Sequence, residues 1–185
     1  LGNPEVLSSI DTNRKITASA VFIKDKNVIV GDKSLEGLKT SPFNVIMETK
    51  RQMENDVFYS VEKGEWIEKD KSKEGDYNPS EISSFILSKL ITYSPDMKKA
   101  VITVPALFAE KARVATLDAA KMAGIEVIEL INEPTAAACY YASLPTVEKV
   151  TGKVLVFDLG GGTFDVTLCE VKGPKVEVIT SRGDK

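Results

Sequence analysis

The chain reads VLVFDLGGGTFD from Val154 to Asp165, and this stretch decides the fold class. An apolar strand carries Asp158 near its end, three glycines turn the chain tightly, and a second strand returns with Asp165. Glycine backbone can approach phosphate oxygens closely and direct successive N–H groups at them. The candidate loop residues are Gly160, Gly161, Gly162 and Thr163. The pattern therefore predicts a phosphate-binding hairpin.

Two carboxylates flank this loop. Asp158 and Asp165 supply the hard oxygen ligands that Mg²⁺ prefers, either directly or through its waters. The competing interpretation is a plain hairpin turn, but type I′ turns normally use two residues such as Asn-Gly, and three glycines lower stability. The chain contains no GxxxxGK[ST] motif, so a P-loop is excluded.

A second motif, NEPTAAA from Asn132 to Ala138, joins a strand to a helix. Pro134 near the first helical position makes Glu133 a first-turn residue, where the positive end of the helix dipole favours a carboxylate. Taken alone, Glu133 is explained by helix capping. Together with the glycine loop, it becomes a candidate third carboxylate that converges on one metal and one attacking water.

The composition excludes several classes of function. None of the 185 residues is histidine, which removes His-based triads and nearly all standard zinc sites. A net charge of −3 gives no long-range attraction to nucleic acid or anionic lipid. No stretch approaches the roughly 20 apolar residues that span a bilayer. We therefore expect neither nucleic-acid nor membrane partners, and any catalysis rests on carboxylates, lysine, hydroxyls and backbone amides.

The two cysteines, Cys139 and Cys169, are expected to be small buried apolar residues. Free thiols fit a reducing compartment, so the expected location is cytoplasmic, with an organelle as the alternative. The chain begins without Met and ends directly after a predicted strand, and we expect it to be part of a larger protein.

Hydrophobic patterning elsewhere predicts a mixed α/β fold. Residues 18–30 predict two strands around a turn, 34–38 a short helical turn, and 55–77 a solvated meander of edge strands. Residues 43–51 fit a helix or a strand, and we favour a helix. Helices are also predicted from 78, at 110–123 and from 134, with strands at 100–104, 127–131, 153–158, 164–171 and 175–181. The last three strands are expected to run antiparallel.

These motifs resemble the ATPase domain of the heat-shock protein 70 chaperones. The glycine-loop and NEPTAAA runs occur in that family's order and at close to its spacing, as do TVPA at Thr103 and the segment from Asp118 to Val127. The resemblance is specific over about residues 100–185 and looser over 1–99.

The resemblance implies the actin-like ATPase (ribonuclease H-like) fold, which has a mixed sheet flanked by helices and a small α+β subdomain. The chain is then a first-lobe fragment of the nucleotide-binding domain. Residues 1–19 and 79–185 are expected to form the core subdomain, and residues 20–78 the smaller peripheral one.

The resemblance also implies catalytic roles for four residues. Lys50 matches the lysine that contacts the γ-phosphate and the attacking water. Glu133 matches the acidic residue that holds the water shell of Mg²⁺. Asp158 matches a principal Mg²⁺-side and water-positioning carboxylate, and Asp165 matches the aspartate that closes the phosphate loop. ATP or ADP and Mg²⁺ are the implied cofactors.

Pro105 and Arg113 match the family's proline switch and arginine relay, which report nucleotide state to a substrate domain. The implied partners are unfolded polypeptides, J-domain co-chaperones and nucleotide exchange factors. The implied parent is an ATP-hydrolysing, stress-responsive chaperone that couples nucleotide state to polypeptide binding.

Two departures keep alternatives open. The family's first phosphate loop, an Asp-Leu-Gly-Thr-Thr type motif, is not in this sequence, and neither is its second lobe. Whether this chain alone is an enzyme is therefore undecided, and a non-catalytic binding module is one alternative. A sugar kinase or another actin-like phosphotransferase is the other, since both use an Asp-Gly-rich hairpin.

Overall fold

The computed structural model describes residues 5–144, 151–159, 164–172 and 175–184. Contacts between residues divide the chain into two compact units. Unit 1 comprises Leu1–Lys99 and Val114–Glu126, and unit 2 comprises Ala100–Arg113 and Val127–Lys185. The subdomain division expected from the sequence, with a peripheral part at 20–78, is a different partition and stays a prediction.

A three-stranded antiparallel sheet with strand order β2-β1-β3 lies at the centre of unit 1. Its strands are β1 (Ala20–Lys24), β2 (Asn27–Val30) and β3 (Val45–Met47). Asp25 and Lys26 connect β1 to β2 with φ angles of 51° and 64°. Two left-handed residues give the turn the handedness of a type I′ hairpin. The predicted pair of strands around a turn is confirmed.

The helix favoured for residues 43–51 is wrong. The segment contains β3, with the short 3-10 helices Pro42–Asn44 and Thr49–Gln52 on either side. Ile46 is 1% exposed where β3 pairs with β1. The apolar periodicity of this segment fits a helix or a strand, and burial in the sheet favours the strand. Glu48 has a φ of 56°, which is incompatible with a continuous helix.

The polar segment 55–77 folds as the predicted meander. Its strands β4 (Val57–Ser60) and β5 (Glu65–Glu68) form an antiparallel hairpin. Tyr59 and Trp66 face each other across the hairpin in a T-shaped arrangement, with ring centroids 5.3 Å apart. These aromatic side chains anchor an otherwise solvated segment to the core.

Helix α1 (Pro79–Ile91) packs against the β2-β1-β3 sheet. It starts with a capping box, in which two residues cap each other. The Asn78 side chain accepts a hydrogen bond from the Glu81 backbone at 2.9 Å, and the Glu81 side chain accepts one from the Asn78 backbone at 2.8 Å. Ile82, one turn into the helix, is fully buried. One cluster of buried side chains in unit 1 consists of Val21, Ile23, Ile46, Tyr59 and Ile82.

Asp11 joins the loop before β1 to the rest of unit 1 through two ion pairs. Its carboxylate lies 2.7 Å from the Lys89 ammonium and 3.0 Å from that of Lys33. Hydrogen bonds from Lys89 and then Lys33 lower the pKa of Asp11 below its ordinary value of 3.8. The folded form therefore favours the ionised carboxylate.

We expect Asp11→Asn to lower the free energy of unfolding at neutral pH. A carboxyl whose pKa is lowered by folding contributes stability above its unfolded pKa and loses that contribution as the pH falls through the folded value. The difference between wild type and variant should therefore shrink below about pH 4. Urea unfolding at several pH values measures it, with exposed Asp96→Asn as the control. A difference that stays constant with pH would contradict this assignment.

Unit 2 contains the predicted antiparallel strands β8 (Gly152–Leu159), β9 (Phe164–Lys172) and β10 (Lys175–Asp184), in the order β10-β9-β8. Two further strands, β6 (Lys99–Val104) and β7 (Glu126–Asn132), form a separate two-stranded sheet. Helix α3 (Glu133–Ser143) belongs to unit 2, whereas helix α2 (Glu110–Met122) is divided between the units, with residues from Val114 onward assigned to unit 1. The mixed α/β content expected from the sequence is confirmed, although the described strands form several small sheets. Within the described ranges, no helix has the length and apolar character that crossing a membrane requires.

Candidate active site

Asp158 and Asp165 are directly opposite each other on β8 and β9. Opposite residues of an antiparallel pair project from the same face of the sheet, with Cβ atoms about 4.5–5.5 Å apart. Asp165 is 7% exposed and Asp158 is half-buried. The two aspartates that flank the glycine loop in sequence therefore form a carboxylate pair on one face of the sheet.

This arrangement brings two like charges together where solvent access is limited. Like charges directly opposite each other destabilise a sheet, and burial disfavours the charged form of a carboxyl group. A cation beside the pair offsets both effects. The role of the Asp158–Asp165 pair as a cation site stays a prediction.

The chemistry of the pair fits magnesium. Mg²⁺ in phosphate-binding sites is typically held by one or two carboxylates and keeps several of its waters. In the described part of the chain, no group of three or more Asp, Glu or Cys side chains is placed to hold a metal ion. Two carboxylates are a number with which proteins typically hold a hydrated Mg²⁺.

The four predicted loop residues lie outside the described residues. They are Gly160, Gly161, Gly162 and Thr163. Their contact with phosphate stays a prediction, although the described strands deliver Leu159 and Phe164, which pair with each other, to the two ends of the loop.

Strand β10 covers the other edge of β9 and contains a bulge. Val178 pairs with Cys169 and Thr180 pairs with Leu168, so one residue of β10 has no partner between them. Beyond the bulge, Gly183 is directly opposite Asp165. Asp165 therefore lies between Asp158 on one neighbouring strand and Gly183 on the other.

Helix α3 packs against β8, β9 and β10 and begins at Glu133. Pro134 follows in the first turn and is fully buried, which fixes the start of the helix. The predicted first-turn position of Glu133 is confirmed, and the residue is half-buried. Its role in the water shell of Mg²⁺ stays a prediction.

Arg113 connects the turn after β6 to the start of α3. Pro105 is buried, and its carbonyl accepts a hydrogen bond from the Phe108 backbone at 3.1 Å. The Arg113 guanidinium donates to the Phe108 carbonyl at 3.2 Å and to the Asn132 side-chain oxygen at 2.7 Å. Asn132 is the residue immediately before Glu133. The predicted switch residues Pro105 and Arg113 thus belong to one hydrogen-bonded chain of groups that ends beside Glu133.

Lys50 lies in unit 1, whereas the aspartates, Glu133, Pro105 and Arg113 lie in unit 2. It is exposed and belongs to the 3-10 helix Thr49–Gln52. Its predicted contact with the γ-phosphate and the attacking water stays a prediction.

The two cysteines differ in environment. Cys169 is fully buried on β9, and burial, with a smaller effect from Cys139, raises the pKa of its thiol. The expectation that Cys139 is buried is wrong, because it lies on an exposed position of α3. Surrounding alanines suggested burial, but α3 is amphipathic only weakly, and its sequence gave little indication of which face packs on the sheet.

A protein-family model described as Hsp70 protein matches residues 2–185 of the chain. The chain belongs to the Hsp70 family. Membership confirms the resemblance found in the sequence and the expected actin-like ATPase fold. A sugar kinase or another actin-like phosphotransferase is not favoured.

Two curated Hsp70 relatives align along almost the whole chain. The Chaperone protein DnaK of Mycoplasmopsis agalactiae is 40% identical over 188 residues, covering 99% of this chain and 29% of the relative. The Chaperone protein DnaK of Nitrosopumilus maritimus is 35% identical over 192 residues, covering 99% of this chain and 28% of the relative. The chain thus spans less than a third of the length of these relatives.

Sequence reasoning missed two residues that the Hsp70 structure brings into the site. Asn132 has the sequence signal of a helix cap, but its side chain makes no cap hydrogen bond and accepts from Arg113 instead. Gly183 gives no signal, since its position opposite Asp165 depends on the pairing of β10.

Proposed function

We propose that this chain is the nucleotide-binding part of an ATP-hydrolysing Hsp70 chaperone. Asp158 and Asp165 would hold the hydrated Mg²⁺ that accompanies the phosphates of ATP or ADP. The observation that carries the proposal is the direct cross-strand pairing of these two carboxylates at the base of a glycine-rich loop. A bound cation would stabilise two like charges that are held close together with limited access to solvent.

The remaining residues have distinct roles in this proposal. The amides of Gly160–Gly162 and the Thr163 hydroxyl bind phosphate oxygens, and Lys50 contacts the γ-phosphate and orients the attacking water. Mg²⁺, when bound, neutralises phosphate charge. Chemistry of this kind depends on positioning and charge neutralisation and requires no histidine.

Family membership supports a general proposal for the partners of the whole protein. Both relatives are named as chaperones, which supports unfolded polypeptides as substrates of the whole protein. J-domain co-chaperones, nucleotide exchange factors and a cytoplasmic location are further parts of the proposal. The chain of contacts from Pro105 through Arg113 to Asn132 supports a route by which nucleotide state is communicated.

Calorimetric titration of this chain with Mg²⁺–ADP tests the proposal. We expect saturable binding that is lost in Asp158→Ala and when Mg²⁺ is chelated. Glu177→Ala is the matched control, because this carboxylate is on β10 of the same sheet, is exposed, and pairs with Lys175. Binding that is unchanged in Asp158→Ala, or absent from a chain shown to be folded, would contradict the proposed role of the chain.

A further inference from the structure

We infer that Gly183 is a positioning residue for Asp165: the absence of a side chain at Gly183 leaves the space in which the Asp165 carboxylate sits. The consequence that we expect for nucleotide binding rests on the proposed function. Its structural part concerns only residues of unit 2.

The close approach is direct. A Cβ atom added to Gly183 would lie 2.1 Å from the Asp165 Oδ1 atom and 2.5 Å from the Phe164 carbonyl oxygen. Both distances are far shorter than a carbon–oxygen van der Waals contact. Since Asp165 is only 7% exposed, its carboxylate has little open solvent into which it can retreat.

Backbone conformation does not explain the glycine. Gly183 is not among the residues with positive φ, so its backbone is accessible to any amino acid. Glycine within a strand weakens it, and alanine would ordinarily be the better residue there. Space beside the Asp165 carboxylate and the Phe164 carbonyl is therefore the feature that requires glycine.

Gly183 also lies beside the turn that follows β6. The added Cβ would be 3.0 Å from the Leu107 Cδ1 atom, which belongs to the turn between Pro105 and Phe108. A side chain at Gly183 would thus contact the Asp165 carboxylate and the tip of the Leu107 side chain, which is itself exposed.

The test compares Gly183→Ala with Asp165→Asn and with Arg182→Ala. Arg182 is the neighbouring exposed residue of β10 and is opposite Val166, so its replacement controls for changes to the strand itself. Two quantities are measured for the chain: Mg²⁺–ADP affinity by calorimetry, and the side-chain carboxyl ¹³C resonance of Asp165 by NMR. The resonance reports the carboxylate directly, whether or not nucleotide is present.

We expect Gly183→Ala to shift the Asp165 resonance and to weaken Mg²⁺–ADP binding about tenfold, with Arg182→Ala changing neither. An unmoved resonance in a folded Gly183→Ala chain overturns the inference. If Asp165→Asn weakens binding but Gly183→Ala does not, the inference fails and the proposed function stands. If neither Asp165→Asn nor Asp158→Ala weakens binding, the proposed function fails, and the resonance alone decides the positioning role.

A second variant covers the case in which Gly183→Ala does not fold. Adding Asp165→Ala removes the carboxylate oxygen that lies 2.1 Å from the new Cβ. The Phe164 carbonyl oxygen, which would lie 2.5 Å from the same Cβ, remains in the double variant. We therefore expect the double variant to be more stable than Gly183→Ala without reaching wild-type stability. A double variant no more stable than Gly183→Ala would overturn the inference.

Discussion

Under the proposed function, replacing Asp158 by asparagine is expected to lower the ATP turnover of an Hsp70 chaperone that contains this chain about 100-fold, because the neutral amide would hold a hydrated Mg²⁺ less well than the carboxylate. Asparagine keeps the size of the side chain and the pairing of β8 with β9, so the fold is retained. Phosphate release under single-turnover conditions at saturating Mg²⁺ measures the effect. Glu177→Gln, on the same sheet, should turn over ATP at the wild-type rate.

The same substitution has an opposite effect on stability. Removing one of two directly opposed carboxylates in Mg²⁺-free buffer should raise the free energy of unfolding by about 0.2–1 kcal/mol. A variant that is inactive yet as stable as wild type, or more stable, is the signature of a lost cation site. Wild-type turnover in Asp158→Asn would sink the assignment, and inactivity with lost stability would indicate a structural role instead.

Ile82→Ala is expected to lower the free energy of unfolding of unit 1 by about 3 kcal/mol. The side chain is fully buried between α1 and the β2-β1-β3 sheet, where it contacts the core that contains Val21 and Ile46. Truncation removes buried methyl and methylene groups and leaves a cavity. The single tryptophan, Trp66, packs against this core and reports unfolding by fluorescence in urea.

Leu90→Ala is the matched control on the same helix. Its side chain is 39% exposed, so its removal takes less apolar surface from the core. We expect a loss of about 1 kcal/mol or less. Equal losses for Ile82→Ala and Leu90→Ala would contradict the placement of Ile82 at the centre of the core.

Local sequence rules predicted the elements whose causes are local. The capping residues of α1 are Asn78, just before the helix, and Glu81, in its first turn, and they are three positions apart in sequence. The turn at Asp25 and the antiparallel order of β8 to β10 follow from short connections. The aspartates of the site were found because the motif places them on either side of one hairpin.

Features that depend on distant pairing could not be predicted. The local pattern of residues 43–51 favours a helix, but β3 is a strand because it pairs with β1, which precedes it by many residues. Exposure of Cys139 depends on which face of α3 packs on the sheet. Gly183 enters the site only through the register of β10 against β9, and no local pattern encodes that register.

The bulge in β10 determines which residue lies opposite Asp165. The surplus residue between Val178 and Thr180 offsets the rest of the strand by one position. In an uninterrupted ladder, Arg182 rather than Gly183 would be opposite Asp165, and a guanidinium would be available to form an ion pair with that carboxylate. An internal cation of this kind would compete with any metal ion. One surplus residue in β10 thus decides whether glycine or arginine is the cross-strand neighbour of Asp165.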